Sequence, residues 1–180
     1  MGKVKLATCS LAGCFGCHMS LLDIDEKLFE LVEMVDLDKS PLTDKKEFDR
    51  PVEIGFVEGG CANQHDVQVL REFRKYCKIL LGVGACALNG GIPAMRNLVG
   101  LQECLEEAYV KGPTVEDGGG IPNDPELPVL LDRVYPAHEI VKIDYLLPGC
   151  PPSAETIWNA LQALLAGKAP TLPYRLLKYE

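Results

Sequence analysis

The sequence has no excess of basic residues, since 26 aspartates and glutamates outnumber 18 lysines and arginines and give a formal net charge of -8. Such a chain repels phosphate backbones and anionic lipid surfaces, so we expect neither nucleic acid nor a membrane as its partner. The sequence also lacks a run of 18 apolar residues, and its start, MGKVKLATCS, contains no apolar signal core and no twin arginine. These absences predict a cytoplasmic protein.

The short glycine motifs that hold nucleotides are absent too. No GxxxxGK occurs, and no GxGxxG opens a helix after a strand. His65 and His138 show no paired spacing of the kind that metal ligands have. We therefore do not expect this chain to bind a nucleotide.

Cysteine, by contrast, is abundant, with eight residues among 180. A chain of this length can bury a core without disulfides, and we expect one domain over residues 1–180. The reducing cytosol disfavours disulfides, so clustered cysteines in such a chain usually bind metal or carry out redox chemistry. The positions of the cysteines are therefore the main clue to function.

Short β-prone segments alternate with segments of helical periodicity along the chain. Because parallel strands need crossover connections, which are normally helical, this alternation predicts an open, doubly wound, mostly parallel α/β sheet of flavodoxin-like type. The run KILLGV is apolar nearly throughout, which predicts a strand deep in the sheet. The predicted strands are residues 3–9, 51–57, 78–83 and 141–147, and the predicted helices have their apolar positions within 21–35, 67–77 and 154–165.

Two segments do not fit this alternation. Residues 36–50 are charged and contain Pro41, while residues 111–139 contain repeated prolines and the three glycines 118–120. Both segments are therefore predicted to be long loops. Long irregular segments in a compact domain are usually functional or lie against a partner, and we expect the same of these two.

Loops that leave the carboxyl ends of predicted strands carry most of the cysteines. Ligands of open α/β sheets bind outside these ends, so residues that are distant in sequence meet there. Cys9 closes its strand, and Cys77 and Cys104 occupy apolar helix positions, where free cysteine acts as a small hydrophobic residue. The five thiols that can meet at the sheet edge are those of Cys14, Cys17, Cys61, Cys86 and Cys150.

Four cysteine thiolates can bind a tetrahedral zinc ion or an iron-sulfur cluster, and their spacing alone leaves both open. Zinc sites usually draw paired CxxC segments from both sides. Here the single CxxC of Cys14 and Cys17 is joined by lone cysteines in GVGACALNGG (82–91) and LPGCPPS (147–153), which favours a cluster. A structural or interaction module that binds zinc is the alternative from another functional class.

Four blocks follow one another along the chain: GCFGCHMSLLD (13–23), VEGG (57–60), GACALNGGIP (84–93) and PGCPPS (148–153). Together they resemble the small subunit of NiFe hydrogenases over residues 3–166. CHMSLLD and EGGCAN most resemble the cytoplasmic NAD-reducing, or bidirectional, type. The resemblance implies an electron-transfer subunit that carries a proximal 4Fe-4S cluster. Its ligands, carried over residue by residue, would be Cys14, Cys17, Cys86 and Cys150.

The resemblance also implies partners. Larger members of the family continue into a domain with further clusters, whereas only thirty residues follow Cys150 here and none is cysteine. We therefore expect a single cluster that receives electrons from the Ni-Fe centre of a large subunit. It would pass them to a diaphorase module with flavin and its own iron-sulfur clusters. The implied reaction is H2 + NAD+ giving NADH + H+, although the other subunits decide between NAD, NADP and another acceptor.

A second family shares the same scaffold. The 20-kDa-type cluster subunit of respiratory NADH:quinone oxidoreductase also resembles the GACA and PGCPP segments, but it has tandem cysteines where this chain has CxxC. It is the alternative interpretation of the function within the redox class.

Three further side chains are candidates for the site. Cys61 is expected to neighbour the cluster without binding it, and His18 receives no role. Glu58, at the end of a predicted strand, is either a carboxylate that anchors its loop or a proton relay toward the metal centre of the partner. The fold also offers a place for flavin at its topological switch point, on the analogy with flavodoxins alone.

Overall fold

The computed structural model describes residues 2–116 and 119–179, in which strands alternate with helices. No helix in these two ranges is both long and apolar enough to span a membrane. In chain order the elements are β1 (Val4–Ser10), α1 (Gly16–Leu22), α2 (Lys27–Met34), β2 (Val35–Leu37), β3 (Val52–Glu58), β4 (Cys61–Asn63), α3 (Gln64–Tyr76), β5 (Cys77–Val83), α4 (Gly84–Asn89), a 3-10 helix (Ile92–Leu98), α5 (Leu101–Tyr109), β6 (Leu130–Tyr135), α6 (Ala137–Ile140), β7 (Tyr145–Leu147), α7 (Ala154–Leu165) and a final 3-10 turn (Tyr174–Leu176).

Five strands form a parallel sheet in the order β2-β1-β3-β5-β7. If these five strands are numbered 1 to 5 along the chain, their order in the sheet is 2-1-3-4-5. This is the strand order of flavodoxin-like folds. The predicted fold class is therefore confirmed. In this order the connections reverse direction between β1 and β3, so a crevice opens there at the carboxyl ends of the strands.

Apolar cores cover both faces of the sheet. On one face α1, α2 and α7 pack against side chains such as Phe56 and Leu81. On the other face α3, α4 and α6 pack against Val57 and Leu80. Because β5 is covered on both faces, it is apolar, as its sequence predicted, and it lies inside the sheet between β3 and β7.

The helix predicted over residues 21–35 is in fact two helices, and its last position begins a strand. Asp25 lies between α1 and α2 with a φ of 55°. Val35 begins β2 and pairs in parallel with Val4 of β1. Ile24, in the connection, packs into the same core as both helices, so the apolar periodicity continues through the break and does not reveal it.

Both segments predicted as long loops contain regular structure. Residues 36 and 37 belong to β2, and β6 within residues 111–139 pairs antiparallel with β4 in a separate two-stranded sheet. β6 is largely exposed, so it lacks the alternation of apolar and polar residues that would have indicated a strand. Residues 117 and 118, which include the first of the three glycines, lie outside the described residues.

Arg74, near the end of α3, joins the start of β5 to the segment that precedes β7. Its guanidinium donates to the carbonyl oxygens of Cys77 and Lys142, at 2.7 and 3.0 Å, and to the carboxylate of Asp144 at 2.7 Å. The Leu80 N–H also donates to this carboxylate, at 2.8 Å. Desolvation raises the pKa of Asp144, but the hydrogen bonds from Arg74 and Leu80 outweigh it and leave the pKa below its ordinary value.

We expect the change Arg74→Ala to lower the free energy of unfolding by about 2 kcal/mol, because the Asp144 carboxylate then loses its cationic donor. The folded state depresses the pKa of Asp144. The ionised Asp144 therefore contributes to the free energy of unfolding at a pH above the pKa that this residue has in the unfolded chain. This contribution disappears as the pH falls through the pKa of Asp144 in the folded state. Urea unfolding at neutral and at acid pH measures both effects. The exposed Arg71→Ala on the same helix is the control, and equal stability of the two variants would contradict the role of Arg74.

Candidate metal centre

Cys14 lies on the connection from β1 to α1, and Cys17 lies in the first turn of α1. Phe15, between them, has a φ of 66°, and this left-handed residue directly precedes the first turn of α1. The Gly16 N–H donates to Cys14 Sγ at 3.4 Å, and Cys17 Sγ lies 3.6 Å from the carbonyl oxygen of Val83. The CxxC segment therefore places Cys17 against the carboxyl end of β5.

Cys86 and Cys150 come from the connections after β5 and β7. Cys86 is in the short helix α4, which follows β5 directly, and Cys150 is in the loop between β7 and α7. The Ala85 N–H donates to the carbonyl oxygen of Gly149 at 2.8 Å, which ties these two connections to each other.

These four cysteines line one small cleft at the carboxyl edge of the sheet. Cys14 and Cys150 are exposed, while Cys17 and Cys86 are half-buried, so the cleft lies at the surface of the chain. The structure thus brings together the four residues predicted as ligands, and ligation itself stays a prediction. The other residues of the cleft wall are Gly13, Gly16, Glu58, Gly59, Ala85, Gly149 and Pro151.

Two of the thiols in this cleft, those of Cys17 and Cys86, have a raised pKa. Burial raises the pKa of Cys17, and the negative charges of Glu58 and the other cleft cysteines raise it further. Burial also raises the pKa of Cys86, followed by the charges of Cys150 and Cys14. A bound cationic centre would therefore favour the thiolate form of both residues. Thiolates are soft ligands, which suit an iron-sulfur cluster or zinc.

Two glycines keep space beside the sulfurs. Gly84 has a φ of +85°, and a Cβ at this position would lie 2.4 Å from Cys17 Sγ. Gly91 has a φ of +52°, and a Cβ there would lie 2.7 Å from Cys86 Sγ. Any larger residue would displace a cleft sulfur as well as strain the backbone. This close approach of backbone to sulfur fits the iron-sulfur centre that the donor set suggests.

The other four cysteines lie away from the cleft wall. Cys9, Cys61 and Cys77 are buried in the core that α3 covers, and burial raises the pKa of Cys61 and of Cys77 to about 12. Cys104 is half-buried in α5. The expected helix position of Cys77 is wrong, because this residue begins β5. Cys61 packs into this apolar core and is not part of the cleft wall, and its expected place near the cluster stays a prediction.

Glu58 ends β3 inside the cleft wall and is 2% exposed. Its Oε2 accepts the backbone N–H of His18 at 2.7 Å and lies 2.6 Å from the Nδ1 of the same residue. Its Oε1 accepts the Ser10 hydroxyl at 3.1 Å. Glu58 thus anchors α1 to the ends of β1 and β3, and an anchoring carboxylate was one of its two predicted roles. The proton relay stays a prediction.

His18 is the residue of the site for which sequence reasoning found no role. Its imidazole is completely buried and connects Glu58 with Thr8 of β1, whose hydroxyl lies 2.9 Å from Nε2. Glu58 is forty positions away along the chain. Local spacing carries no signal of such a pair, which forms because α1 begins beside the paired ends of β1 and β3.

Residues 14–164 match the model of the family described as NADH ubiquinone oxidoreductase, 20 Kd subunit. The chain is 46% identical to the NAD-reducing hydrogenase HoxS subunit delta of Cupriavidus necator, over 99% of this chain and 87% of that protein. It is 39% identical to a subunit of the vhu F420-non-reducing hydrogenase of Methanocaldococcus jannaschii, over 97% of this chain but only 60% of that protein.

A solved structure gives the same assignment. A chain of an NAD+-reducing NiFe hydrogenase in the H2-reduced state is 50% identical, with a TM-score of 0.97 over 99% of this chain and 100% of that chain. A chain of the Ni-Fe-Se hydrogenase from Desulfomicrobium baculatum shares the fold, with a TM-score of 0.61 at 16% identity and 69% of its length covered. The chain described here belongs to the 20 Kd subunit family of NADH ubiquinone oxidoreductase and, within it, to the small subunits of NiFe hydrogenases.

Proposed function

We propose that this chain is the electron-transfer small subunit of a cytoplasmic NiFe hydrogenase that couples the oxidation of H2 to the reduction of NAD+. Membership in the family implies binding of an iron-sulfur cluster and a large subunit as partner. The observation that carries the proposal is the meeting of four cysteines, from the ends of three strands, in one cleft. In this proposal residues 1–180 are one flavodoxin-like iron-sulfur domain.

The proposed cofactor is one 4Fe-4S cluster bound by Cys14, Cys17, Cys86 and Cys150. When bound, such a cluster takes up and releases single electrons. The protein contributes four thiolates, two glycines that leave room beside them, and the buried packing behind the cleft. The location of the other cysteines in the core and in α5 supports a single cluster.

Two alternative functions have less support. The four cysteines of the cleft come from one CxxC and two lone positions and not from paired CxxC segments, which favours an iron-sulfur cluster over zinc. Analysis of iron and acid-labile sulfide distinguishes the two directly. The family model includes the respiratory 20 Kd subunit by name, but the CxxC of Cys14 and Cys17 and the 46% identity to a hydrogenase subunit favour the hydrogenase.

Flavin binding to this chain stays a prediction from the strand order. Flavin would bind outside the carboxyl ends of β1 and β3, where the fold has its switch point. The CxxC segment and Glu58 occupy that edge. A flavin at this place would therefore compete with the proposed cluster for space, and we assign the flavin of the proposed complex to the diaphorase subunits.

The proposed electron path needs a neighbour on each side of the cluster. The large subunit supplies the Ni-Fe centre, and a diaphorase module with flavin and iron-sulfur clusters accepts the electrons. An exposed apolar surface suited to such a neighbour begins at the 3-10 helix after Cys86 and continues over α5 and the segment before β6. Large exposed apolar patches mark interaction sites. This apolar surface consists of Ile92, Met95, Leu98, Val99, Tyr109, Leu127, Val129 and Leu130.

The long segment 111–139, predicted to contact a partner, contributes three of these residues to the apolar surface. The 3-10 helix packs against β6, and Arg96 of that helix donates to the carbonyl oxygen of Leu131 at 3.0 Å. The elements that carry the apolar side chains are therefore held in place by packing and by this hydrogen bond. This arrangement supports a permanent interface, because obligate interfaces are large and apolar.

The apolar surface can be tested with Leu98→Glu, since Leu98 is 85% exposed and makes the change tolerable for the isolated fold. A charge in an apolar interface should reduce the amount of partner subunits that co-purify by about tenfold, which corresponds to about 1.4 kcal/mol. Tyr174→Glu, at a residue with 87% exposure near the end of the chain, is the matched control. Unchanged assembly of the Leu98 variant would show that this surface is not the interface.

The ligand assignment can be tested by serine replacement at Cys14, Cys17, Cys86 and Cys150. Each change should remove most of the cluster iron, because serine cannot replace a thiolate ligand of an iron-sulfur cluster without strong loss of affinity. Iron and sulfide content and the cluster absorption measure the loss, with Cys104→Ser as the control. Loss of iron after a change of Cys61 or Cys9, together with its retention after a change of Cys86, would overturn the assignment.

The function itself can be tested in the complex purified with its natural partners. We expect Cys86→Ser to abolish H2-driven reduction of NAD+ while H2-driven reduction of an artificial dye by the large subunit persists, since only the first path crosses the cluster. Measurement of both activities in one preparation separates electron transfer from loss of the Ni-Fe centre. If H2-driven reduction of NAD+ continues although the cluster is absent, electrons bypass this chain and the proposed function is wrong.

A further inference from the structure

A groove lies between α5 and the segment that leads into β6, and its volume is about 540 Å³. Leu101, Leu105 and Tyr109 line it from α5, and their spacing of four residues places them on one face of that helix. Leu127 and Val129 line it from the other side. Tyr109, Leu127 and Val129 are 45%, 50% and 61% exposed, so the apolar lining is open to solvent.

α5 contributes no buried side chain, although all nine of its residues are described. A helix this short is marginal in water by itself, and most of the stability of a helix in a protein comes from the packing of its apolar face. The described part of the chain leaves the apolar face of α5 uncovered. A neighbouring molecule that covers this face would therefore stabilise the helix.

The opposite wall of the groove is held in place by hydrogen bonds from backbone N–H groups. The Gln64 N–H, at the start of α3, donates to the carbonyl oxygen of Val129 at 2.9 Å. Asp124 closes a turn, because its side chain accepts the Glu126 N–H at 2.8 Å and its carbonyl oxygen accepts the Leu127 N–H at 3.0 Å. The groove is therefore formed before an occupant arrives, which lowers the entropy that binding costs.

The rim of the groove is acidic. α5 and residues 121–130 together contain five acidic residues and no basic residue. Lys111 pairs with Glu106 of α5, with 2.9 Å between its Nζ and the carboxylate. Asp124, in the groove wall, and Glu126 form no ion pair within the described part of the chain. A lysine or arginine of a neighbour would complement these two carboxylates.

We propose that this groove binds a short segment of a partner subunit in which apolar side chains are flanked by lysine or arginine. The apolar side chains fill the groove, and the cations lie beside Asp124 and Glu126. The inference rests on the proposed function, which supplies the partner subunits, and it specifies the chemistry of the segment that covers this part of the apolar surface. Along α5 the groove extends about 12 Å from Leu101 to Tyr109, which matches about two turns of a helix.

A second copy of this chain is a poorer occupant. Each copy carries a net charge of -8 and would bring further acidic residues to an acidic rim. Like charges that face each other suppress an association. The charge of the groove therefore selects a basic segment of a different subunit.

The test places the photoreactive residue p-benzoylphenylalanine at position 109 in the complex purified with its natural partners. Tyr109 is itself aromatic and exposed, so the change is compatible with the fold. We expect irradiation to join this position to one peptide of a partner subunit, and mass spectrometry of that peptide to show apolar residues next to lysine or arginine. The absence of a cross-link, a cross-link to a second copy of this chain, or a peptide without basic residues overturns the proposal.

Position 103 is the matched control for the cross-link. Glu103 is exposed on the same helix and does not line the groove. At 3.6 residues per turn it lies on the side of α5 opposite to Leu105. The same photoreactive residue there should not label the partner peptide. Equal labelling from both positions would show that the peptide passes near α5 without entering the groove, and the proposal would be wrong.

The charge of the rim is tested in the cross-linking protein by Asp124→Asn together with Glu126→Lys. Asparagine keeps the oxygen that closes the turn, while two attractions to a basic segment are lost, so the yield of the cross-linked peptide should fall about fivefold at low salt. The loss should be smaller at high salt, because salt screens exposed charges. Glu103→Lys is the control and should leave the yield nearly unchanged. An unchanged yield in the double variant, or an equal loss in Glu103→Lys, contradicts a basic occupant.

The proposed function and this inference fail in different ways. The native complex is analysed first for iron, for acid-labile sulfide and for H2-driven reduction of NAD+. Their absence refutes the proposed function. An active complex in which position 109 reaches no basic segment of a partner refutes this inference alone.

Discussion

The common direction of the five sheet strands is the constraint on which the whole site depends. In a parallel sheet every strand ends at the same edge, so the connections after β1, β3, β5 and β7 leave from one place although they are far apart along the chain. Three of these strand ends are followed by the cleft cysteines, and the fourth strand, β3, ends at Glu58 in the cleft wall. Antiparallel neighbours would send alternate connections to opposite ends and would separate the thiols. The two apolar cores that hold the sheet together therefore also hold the four-cysteine cleft together.

The site is built from two layers with different chemistry. The outer layer contains the thiols, two of them exposed, and glycines such as Gly84 whose missing side chains leave space for the sulfurs. The inner layer contains Glu58, His18 and Thr8, each buried and each fully hydrogen-bonded to protein groups. Burial makes the inner layer rigid and strengthens its electric field, because few water molecules are near to screen it. The outer layer is open to solvent. This openness suits an electron-transfer site, because such a site must approach partner subunits.

The apolar surface follows the cleft along the chain. The apolar surface around Leu98 begins directly after the segment that carries Cys86, so a subunit that covers it also comes close to the cleft. The small sheet of β4 and β6 supports this region from below through contacts with the 3-10 helix. In the proposed complex, the elements that depart from the plain flavodoxin-like plan are those that would face a neighbour. Side chains that face a partner need not alternate as those facing the chain's own core do.

The sequence alone determined the fold class, the parallel strands and the set of cysteines that could meet, since hydrophobic periodicity and residue type are local properties of the chain. It did not determine the break at Asp25, the short strands β2, β4 and β6, or the place of Cys61, because each depends on which element packs against which. The link between His18 and Glu58 belongs to the same class. A hydrogen bond across forty residues leaves no periodic signal, and only the placement of α1 at the paired ends of β1 and β3 brings the two groups to 2.6 Å.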